Sequence, residues 1–412
     1  MLRLPRNVGP VQRWRRGTLL GPAFVASIAY VDPGNVASNV SAGAQFGYLL
    51  VWVIVVANVM AALVQYLSAK LGLVTGRSLP EVLRERMSLP ARLAYWGQAE
   101  LVAMATDLAE VIGGAIALNL LFDLPLLTGA LITGAVSLLL LLVQDTRGQR
   151  GFERVITGLL LVIAIGFVTS LFVAPPPAHA VAAGLVPRFD GAESVLLAAA
   201  MLGATVMPHA VYLHSGLVRD RHGHPEPGPR RAVLLRVTRW DVGLAMVVAG
   251  TVNLAMLLTA ATTLQGREGV DSIEEAHTAL GLELGSTVAL LFALGLLASG
   301  FASTSVGAYA GSLIMDGLLR RRIPLLARRL ITLVPALVVV ALGTDPTRAL
   351  VLSQVVLSFG IPFALIPLVR LTSDRALMGI DVNHRLTTMV AWVIAATITA
   401  LNLVLIYLTA RP

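Results

Sequence analysis

The sequence contains no cysteine, which excludes disulfide bonds and thiolate metal sites. Charged residues are also scarce: they make up 13% of the 412 residues, whereas 56% are hydrophobic. Soluble domains carry roughly 25% charged residues, so a soluble globular fold is excluded. The sequence therefore indicates a polytopic protein embedded in a lipid bilayer. The net charge of +8 could suggest nucleic acid, but the basic residues lie between apolar runs, so we expect no nucleic-acid partner.

About eleven apolar runs are long enough to cross roughly 30 Å of hydrocarbon as helices. Their approximate limits are 18–44, 48–69, 93–121, 126–144, 155–174, 192–218, 240–264, 286–318, 330–343, 349–369 and 387–409. With a cytoplasmic N-terminus, all but four of the 31 Lys and Arg residues fall on the cytoplasmic side. This asymmetry follows the positive-inside rule. We therefore expect a multi-pass protein of the inner (plasma) membrane, with its C-terminus on the external, periplasmic side.

The first apolar run has a second interpretation as a cleaved signal peptide. A basic tail precedes it, and the run Ala-Ser-Ile-Ala at positions 26–29 could form a cleavage site. The run continues to about residue 42, however, and many further spans follow. We therefore favour a retained first span.

Two of the apolar runs are interrupted at matched positions. The first contains Asp-Pro-Gly-Asn at positions 32–35, and the sixth contains Met-Pro-His at positions 207–209. Proline removes a backbone donor and glycine relaxes the backbone, so carbonyl groups are freed where lipid offers no hydrogen bonds. Because five crossings separate them, the two runs cross the membrane in opposite directions. Paired breaks of this kind indicate inverted repeats around a substrate site at the midplane.

We therefore predict an all-α membrane protein with a LeuT-like five-plus-five inverted repeat, in which the first and sixth helices are broken at the midplane. The predicted parts are a cytoplasmic tail (1–17), a first repeat (18–174), an external linker (175–191), a second repeat (192–372) and an eleventh span (385–412). The cavity between the repeats is complete within one chain. We accordingly expect a functional monomer.

The residues at the breaks favour a divalent transition metal as the substrate. Asp32 offers a carboxylate, Asn35 an amide oxygen and Met207 a soft sulfur, and unwinding frees the carbonyls of Ala29 and Ala204. Ca²⁺ and Mg²⁺ prefer all-oxygen ligands, so a thioether favours Mn²⁺, Fe²⁺ and softer ions. Each feature has a simpler explanation, since Asp-Pro-Gly-Asn is common in β-turns and a buried methionine usually serves packing. Only their combination indicates a metal site.

Few ionisable residues lie inside the spans, and each is therefore a functional candidate. On the third span, Asp107 and Glu110 are one helical turn apart, with Glu100 on roughly the same side. A line of carboxylates suits a proton relay, because each can release a proton when a neighbouring charge changes. On the sixth span, His209 and His214 are either further candidates or ordinary buried histidines.

The eighth span carries small residues along its length, which permit close helix contacts. They are Ser299, Gly300, Ser303, Gly307 and Gly311. We favour a packing role for them over a pore-lining role.

The motifs at 32–35 and 207–209 resemble the first-helix and sixth-helix signatures of the natural resistance-associated macrophage protein (Nramp) family. The resemblance is to its bacterial branch of proton-coupled manganese transporters, and it extends from about residue 17 to the C-terminus. It implies import of divalent metals, chiefly Mn²⁺ and also Fe²⁺, by alternating access, with Cd²⁺, Co²⁺ and Zn²⁺ as further candidates. It implies metal binding by Asp32, Asn35, Met207, the carbonyls of Ala29 and Ala204, and Gln354. No resident cofactor is implied.

The same resemblance implies that protons travel along the third helix. Asp107 and Glu110 match the family's proton-transfer residues, and Glu100 lies farther along. His209 and His214 resemble histidines of the family's sixth helix and are further candidates for proton transfer. The resemblance also implies that Arg328 and Arg329 lie near the exit of the proton pathway.

Two other functions were weighed against metal transport. A symporter for amino acids or other organic solutes could share this fold, but there the half-helix N-termini bind a carboxylate, which Asp32 would repel. An intramembrane metalloenzyme would need a His-Glu-x-x-His motif or a second carboxylate beside the histidines, and the sequence has neither. We therefore expect no enzymatic activity.

Overall fold

The computed structural model describes residues 21–266, 272–321, 323 and 325–410. The predicted tail (1–17) and the last two residues lie outside this part of the chain. The described residues form helices and contain no strand. In chain order the α-helices are α1 (Pro22–Ser27), α2 (Pro33–Phe46), α3 (Val51–Thr75), α4 (Leu79–Arg86), α5 (Leu89–Phe122), α6 (Leu126–Val173), α7 (Ala178–Ala183), α8 (Gly191–Thr205), α9 (Pro208–His222), α10 (Pro229–Thr263), α11 (Ile273–Leu284), α12 (Ser286–Leu319), α13 (Leu325–Ala341), α14 (Pro346–Thr372), α15 (Arg375–Met378) and α16 (Arg385–Ala410).

Helices occupy all eleven predicted spans. By length and composition, eight segments of the described chain can cross a membrane, and two shorter apolar helices, Pro22–Val31 and Leu126–Leu142, lie in the first and fourth spans. The fourth and fifth spans are the two parts of α6, which is broken at Gly148. Gly148 has a φ of 67°, a conformation that favours glycine. The prediction of an all-helical, multi-pass membrane protein is confirmed.

The two predicted breaks are present, and each second half-helix begins with proline. In the first span, α1 passes into a 3₁₀ turn (Ile28–Val31), and the backbone of Asp32 is extended before α2. In the sixth span, α8 ends at Thr205, and the backbone at Met207 is extended before α9. Proline is well placed at the start of a helix because its missing N–H would have had no partner there.

The broken spans lie at the centre of the helix bundle. Helix α2 packs against α8, α10 and α14, and α9 packs against α1, α3 and α12. Helix α5 contacts α12, α13 and α14, while α16 covers α14 and α8 at the edge. Residues of the breaks are therefore surrounded by side chains from several other spans.

Four short α-helices of the described chain lie between the spans, namely α4, α7, α11 and α15. Helix α4 is held in place by side-chain contacts. Its capping residue Ser78 donates a backbone hydrogen bond to Glu81 Oε2 at 2.7 Å, and Arg219 of α9 forms an ion pair with Glu81. Burial alone would raise the pKa of the Glu81 carboxyl. The hydrogen bonds from Ser78 and the charge of Arg219 outweigh burial, so the pKa lies below its ordinary value.

Candidate metal-ion transport site

A hydrogen-bonded cluster joins the two breaks. Asp32 Oδ1 accepts from the backbone N–H and from the side-chain Nδ2 of Asn35, both at 2.8 Å. Asn35 Nδ2 also donates to the carbonyl oxygen of Ala204 at 2.9 Å. The two N–H groups of the Asn35 amide thus donate hydrogen bonds to the first and the sixth span. Its oxygen is left for another partner.

Three buried oxygens around the breaks have no hydrogen-bond partner among the described residues. They are Asp32 Oδ2, Asn35 Oδ1 and Gln354 Oε1. A buried acceptor without a partner is costly, by about 1–3 kcal/mol for a neutral group and more for a charged one. Several such acceptors at one place are what a cation-binding site requires.

Gln354 of α14 lies against the breaks because a glycine of the first span and a glycine of the sixth span leave space for it. A Cβ on Gly34 would collide with the side-chain amide of Gln354, and a Cβ on Gly203 would collide with its backbone carbonyl. The glycine of the first-span motif therefore has a definite packing role. It lets α14 bring the side-chain amide of Gln354 to the break.

The carbonyls freed at the first break have different fates. Tyr30 O accepts a hydrogen bond from Asn253 Nδ2 at 2.7 Å, and Val31 O accepts from Ser299 Oγ at 2.6 Å. The helical partner of the Ala29 carbonyl would be the N–H of residue 33, which proline lacks. Side chains of α10 and α12 thus satisfy the carbonyls of Tyr30 and Val31.

All six predicted metal ligands are closed off from solvent. Each is at most 1% exposed, a set comprising Ala29, Asp32, Asn35, Ala204, Met207 and Gln354. The described residues hold no cluster of three or more His, Asp or Glu side chains suited to a metal. A site at the breaks would therefore use one carboxylate with amide, carbonyl and thioether ligands.

The candidate proton groups of α5 are paired with the start of α13. Arg329 Nη1 donates to Asp107 Oδ1 at 2.6 Å, and Arg328 Nη2 lies 3.0 Å from Glu100 Oε1. The first pair is nearly inaccessible, with side-chain exposures of 1% for Arg329 and 5% for Asp107. The structure thus brings four of the predicted proton residues together in two ion pairs.

Glu110 differs from the other two acids of α5. It is 1% exposed, and neither carboxylate oxygen has a hydrogen-bond partner of normal geometry among the described residues. It interacts electrostatically with Asp107, Asp32 and Arg329. In addition Gly113, one turn further along α5, packs directly on Pro33. Glu110 is therefore close to both the first break and the Asp107–Arg329 pair.

The two histidines of α9 have separate surroundings. His209 Nδ1 lies 3.4 Å from Thr106 Oγ1 on α5, close to the acids. His214 Nδ1 instead lies 2.6 Å from Gln65 Oε1 on α3, and Gln65 in turn contacts the hydroxyl of Tyr30. The structure therefore brings His209 to the α5 acids and His214 to a different polar group.

A carboxylate that was not predicted from the sequence holds the beginning of the first span. Asp241 of α10 accepts hydrogen bonds from Gly21 N and Ala23 N, both at 3.0 Å. The only signal in the sequence is an aspartate near one end of the seventh span. Gln65 was also missed, although a glutamine inside an apolar run is unusual enough to be noted.

Comparisons with known proteins agree with this geometry. The family model described as natural resistance-associated macrophage protein-like matches residues 23–408. A protein of Mycobacterium tuberculosis named divalent metal cation transporter MntH is 72% identical over 391 residues, covering 95% of this chain and 91% of that protein. A protein of the same name from Klebsiella pneumoniae is 49% identical over 387 residues, covering 93% and 92%.

Solved structures give the same result for the fold. The manganese transporter of Eremococcus coleocola, crystallised with an aromatic bis-isothiourea compound, superposes with a TM-score of 0.85 at 30% identity, covering 100% of this chain and 91% of that one. The nucleobase-cation symporter Mhp1 superposes with a TM-score of 0.60 at 15% identity, covering 95% and 92%, and shows likeness of fold alone. The LeuT-like fold class predicted from the sequence is confirmed.

Proposed function

Because this chain belongs to the natural resistance-associated macrophage protein family of membrane metal-ion transporters, we propose that it imports divalent transition metals, chiefly Mn²⁺, together with protons. Fe²⁺ is a second substrate in this proposal, with Cd²⁺, Co²⁺ and Zn²⁺ as further candidates. The metal is transported cargo. The proposal includes no resident cofactor.

The observation that carries the proposal is the set of three unpartnered oxygens around two helix breaks. Asp32 Oδ2, Asn35 Oδ1 and Gln354 Oε1 are buried acceptors without donors among the described residues. A bound cation supplies what all three lack. A solute rich in hydrogen-bond donors could do so in part, but Asp32 favours a positive charge at this place.

The buried sulfur of Met207 supports a transition metal over Ca²⁺ or Mg²⁺. Hard cations bind oxygen ligands, whereas a thioether suits softer ions. The amide and carbonyl ligands are neutral, so the carboxylate of Asp32 leaves one positive charge of a divalent ion uncompensated. That charge favours proton release from acids close by, and Glu110 is a candidate because it interacts electrostatically with Asp32.

In the proposed cycle, the half-helices α1 and α9 move against the rest of the bundle to expose the metal to one side at a time. Protons pass from Glu110 to Asp107 and on past Glu100, whose charges are balanced by Arg329 and Arg328. His209 lies beside this route. We further propose a cytoplasmic N-terminus, an external C-terminus and a functional monomer.

The test is Mn²⁺ uptake into proteoliposomes with a pH-sensitive dye inside. The variants are Asp32→Ala and Asp107→Ala, and Asp190→Ala in the predicted linker serves as an aspartate control. We expect wild type and control to take up Mn²⁺ and acidify the lumen. Asp32→Ala should lose metal uptake, whereas Asp107→Ala should mainly lose acidification. Unimpaired Mn²⁺ uptake by Asp32→Ala would contradict the proposed metal site.

A further inference from the structure

Glycines of α12 bring this helix unusually close to the acids of α5. A Cβ on Gly300 would lie 2.9 Å from the Cα of Gly114, so the two backbones are in direct contact there. Seven residues further along the same helix, Gly307 faces Glu110, and Gly311 faces the guanidinium group of Arg328. Positions 307 and 311 are one turn apart and share a face.

The contact at Gly307 involves the Glu110 carboxylate, which has no hydrogen-bond partner of normal geometry among the described residues. A Cβ at this position would lie 3.0 Å from Glu110 Oε2 and 3.2 Å from Oε1. Both distances are shorter than the roughly 3.5 Å of an unstrained contact. The carboxylate is 1% exposed. The absent side chain of Gly307 therefore provides the space on one side of Glu110.

The charged neighbours of Glu110 lie on different helices. Asp32 belongs to the first break, Asp107 to α5 itself and Arg329 to α13, and all three interact electrostatically with Glu110. No side chain of α12 at position 307 pushes the carboxylate toward any of them. With glycine at position 307, no α12 side chain at that position obstructs that side of the carboxylate.

We propose that Gly307 is a positioning residue for proton coupling, because its bare backbone leaves the Glu110 carboxylate free to turn between the metal site and the Asp107–Arg329 pair. A methyl group at position 307 would hold the carboxylate in one orientation. Metal binding would persist, but protons would no longer follow the metal. This inference rests on the proposed function, since it concerns the coupling of that same site.

The experiment compares Gly307→Ala with Gly295→Ala in proteoliposomes. Gly295 is a matched control, because it belongs to α12 and its added Cβ would lie 3.1 Å from an apolar neighbour, the ring of Phe167. Mn²⁺ uptake and lumenal acidification are measured together from external pH 5.5 to 7.5. We expect Gly307→Ala to lose part of the protons moved per Mn²⁺ while Mn²⁺ uptake persists. Gly295→Ala should keep the wild-type ratio and pH profile.

A second variant separates positioning from a general packing defect. Asp is one methylene shorter than Glu, so Glu110→Asp makes room for a methyl group at position 307. Coupling in the double variant Gly307→Ala/Glu110→Asp should exceed that of Gly307→Ala, a non-additive result expected for residues in contact. If Gly307→Ala yields too little folded protein, folded yield becomes the readout, and Glu110→Asp should restore it.

The outcomes distinguish this inference from the proposed function. Mn²⁺ uptake without acidification in wild type would contradict proton coupling itself. Normal coupling in wild type, with Gly307→Ala and Gly295→Ala indistinguishable, would overturn the positioning role alone. Failure of Glu110→Asp to improve either coupling or yield would also overturn it.

Discussion

The side-chain amide of Asn35 donates a hydrogen bond to the carbonyl oxygen of Ala204 at 2.9 Å, across 169 positions of sequence. This contact joins the first broken helix to the sixth. The same amide also donates to Asp32 Oδ1 at 2.8 Å, so both N–H groups are used and the orientation of the amide is fixed. Asn35 Oδ1 is thereby presented as an acceptor beside the carboxylate of Asp32.

We expect Asn35→Ala to weaken Mn²⁺ binding by at least about tenfold, since even groups that only orient metal ligands contribute 10–100-fold. The variant loses an oxygen ligand and the link between the breaks. Ser38→Ala is the control, because Ser38 Oγ bonds the Gly34 carbonyl of its own helix. Isothermal titration calorimetry with Mn²⁺ on the detergent-solubilised protein measures the affinity of both variants. Equal affinity in wild type and Asn35→Ala would remove Asn35 from the site.

Met207→Ala should reduce discrimination against Ca²⁺ while retaining part of Mn²⁺ transport. Loss of the thioether leaves oxygen ligands alone, which hard cations prefer. The measurement is inhibition of Mn²⁺ uptake by excess Ca²⁺. Met201→Ala, which removes another buried methionine from the same span, controls for lost packing. Rejection of Ca²⁺ as strong as in wild type would show that the sulfur is not a selectivity element.

Substitutions of Arg329 and Asp107 should have strongly non-additive effects on the free energy of unfolding. Arg329→Met or Asp107→Leu alone leaves a buried charge without its partner, and breaking such a pair costs about 3–5 kcal/mol. Replacing both residues, as in Arg329→Met/Asp107→Leu, should recover much of this loss because no buried charge remains. Denaturation in detergent measures the cycle. Additive effects of the two single changes would contradict the pairing.

Asp241→Asn should loosen the beginning of the first span. Asp241 holds the N–H groups of Gly21 and Ala23, and hydrogen bonds to a charged group contribute about 1.5–3 kcal/mol each. The chain has no cysteine, so Ala26→Cys introduces a sole thiol in α1 at a buried position. Each 1.4 kcal/mol of lost stabilisation corresponds to roughly tenfold more frequent opening of α1, so we expect labelling of this thiol to be at least about tenfold faster.

The control for that experiment is Asp345→Asn, which removes a carboxylate cap from α14 rather than α1. It should leave labelling at position 26 unchanged. Equal labelling rates in Asp241→Asn and wild type would mean that the Asp241 contacts do not restrain α1.

Local rules were sufficient to predict the breaks but not their surroundings. Pro33 and Pro208 interrupt their helices for reasons contained in a few residues, and the shared face of Asp107 and Glu110 follows from the helical period. The partner of Asp107 lies 222 positions away, and no local pattern identifies it. Equally, only the fold reveals that Glu110 has no basic partner at hydrogen-bonding distance among the described residues.

The histidines and the first break illustrate the same limit. His209 and His214 are five residues apart, which places them about 140° apart around an α-helix, so different neighbours could have been foreseen. Which neighbours they meet depends on how α9 packs against α3 and α5. The 3₁₀ turn before Asp32 likewise involves residues far along the chain. The side chains of Asn253 and Ser299 donate hydrogen bonds to its carbonyls.

The most direct test of the account is anomalous diffraction from crystals grown with Mn²⁺ and measured at the manganese absorption edge. The account predicts a strong anomalous peak between the two breaks, within coordinating distance of Asp32 Oδ2, Asn35 Oδ1 and the Met207 sulfur. The peak should be absent from crystals of Asp32→Ala grown in the same way. A manganese peak elsewhere in the chain, with none between the breaks, would contradict the central claim.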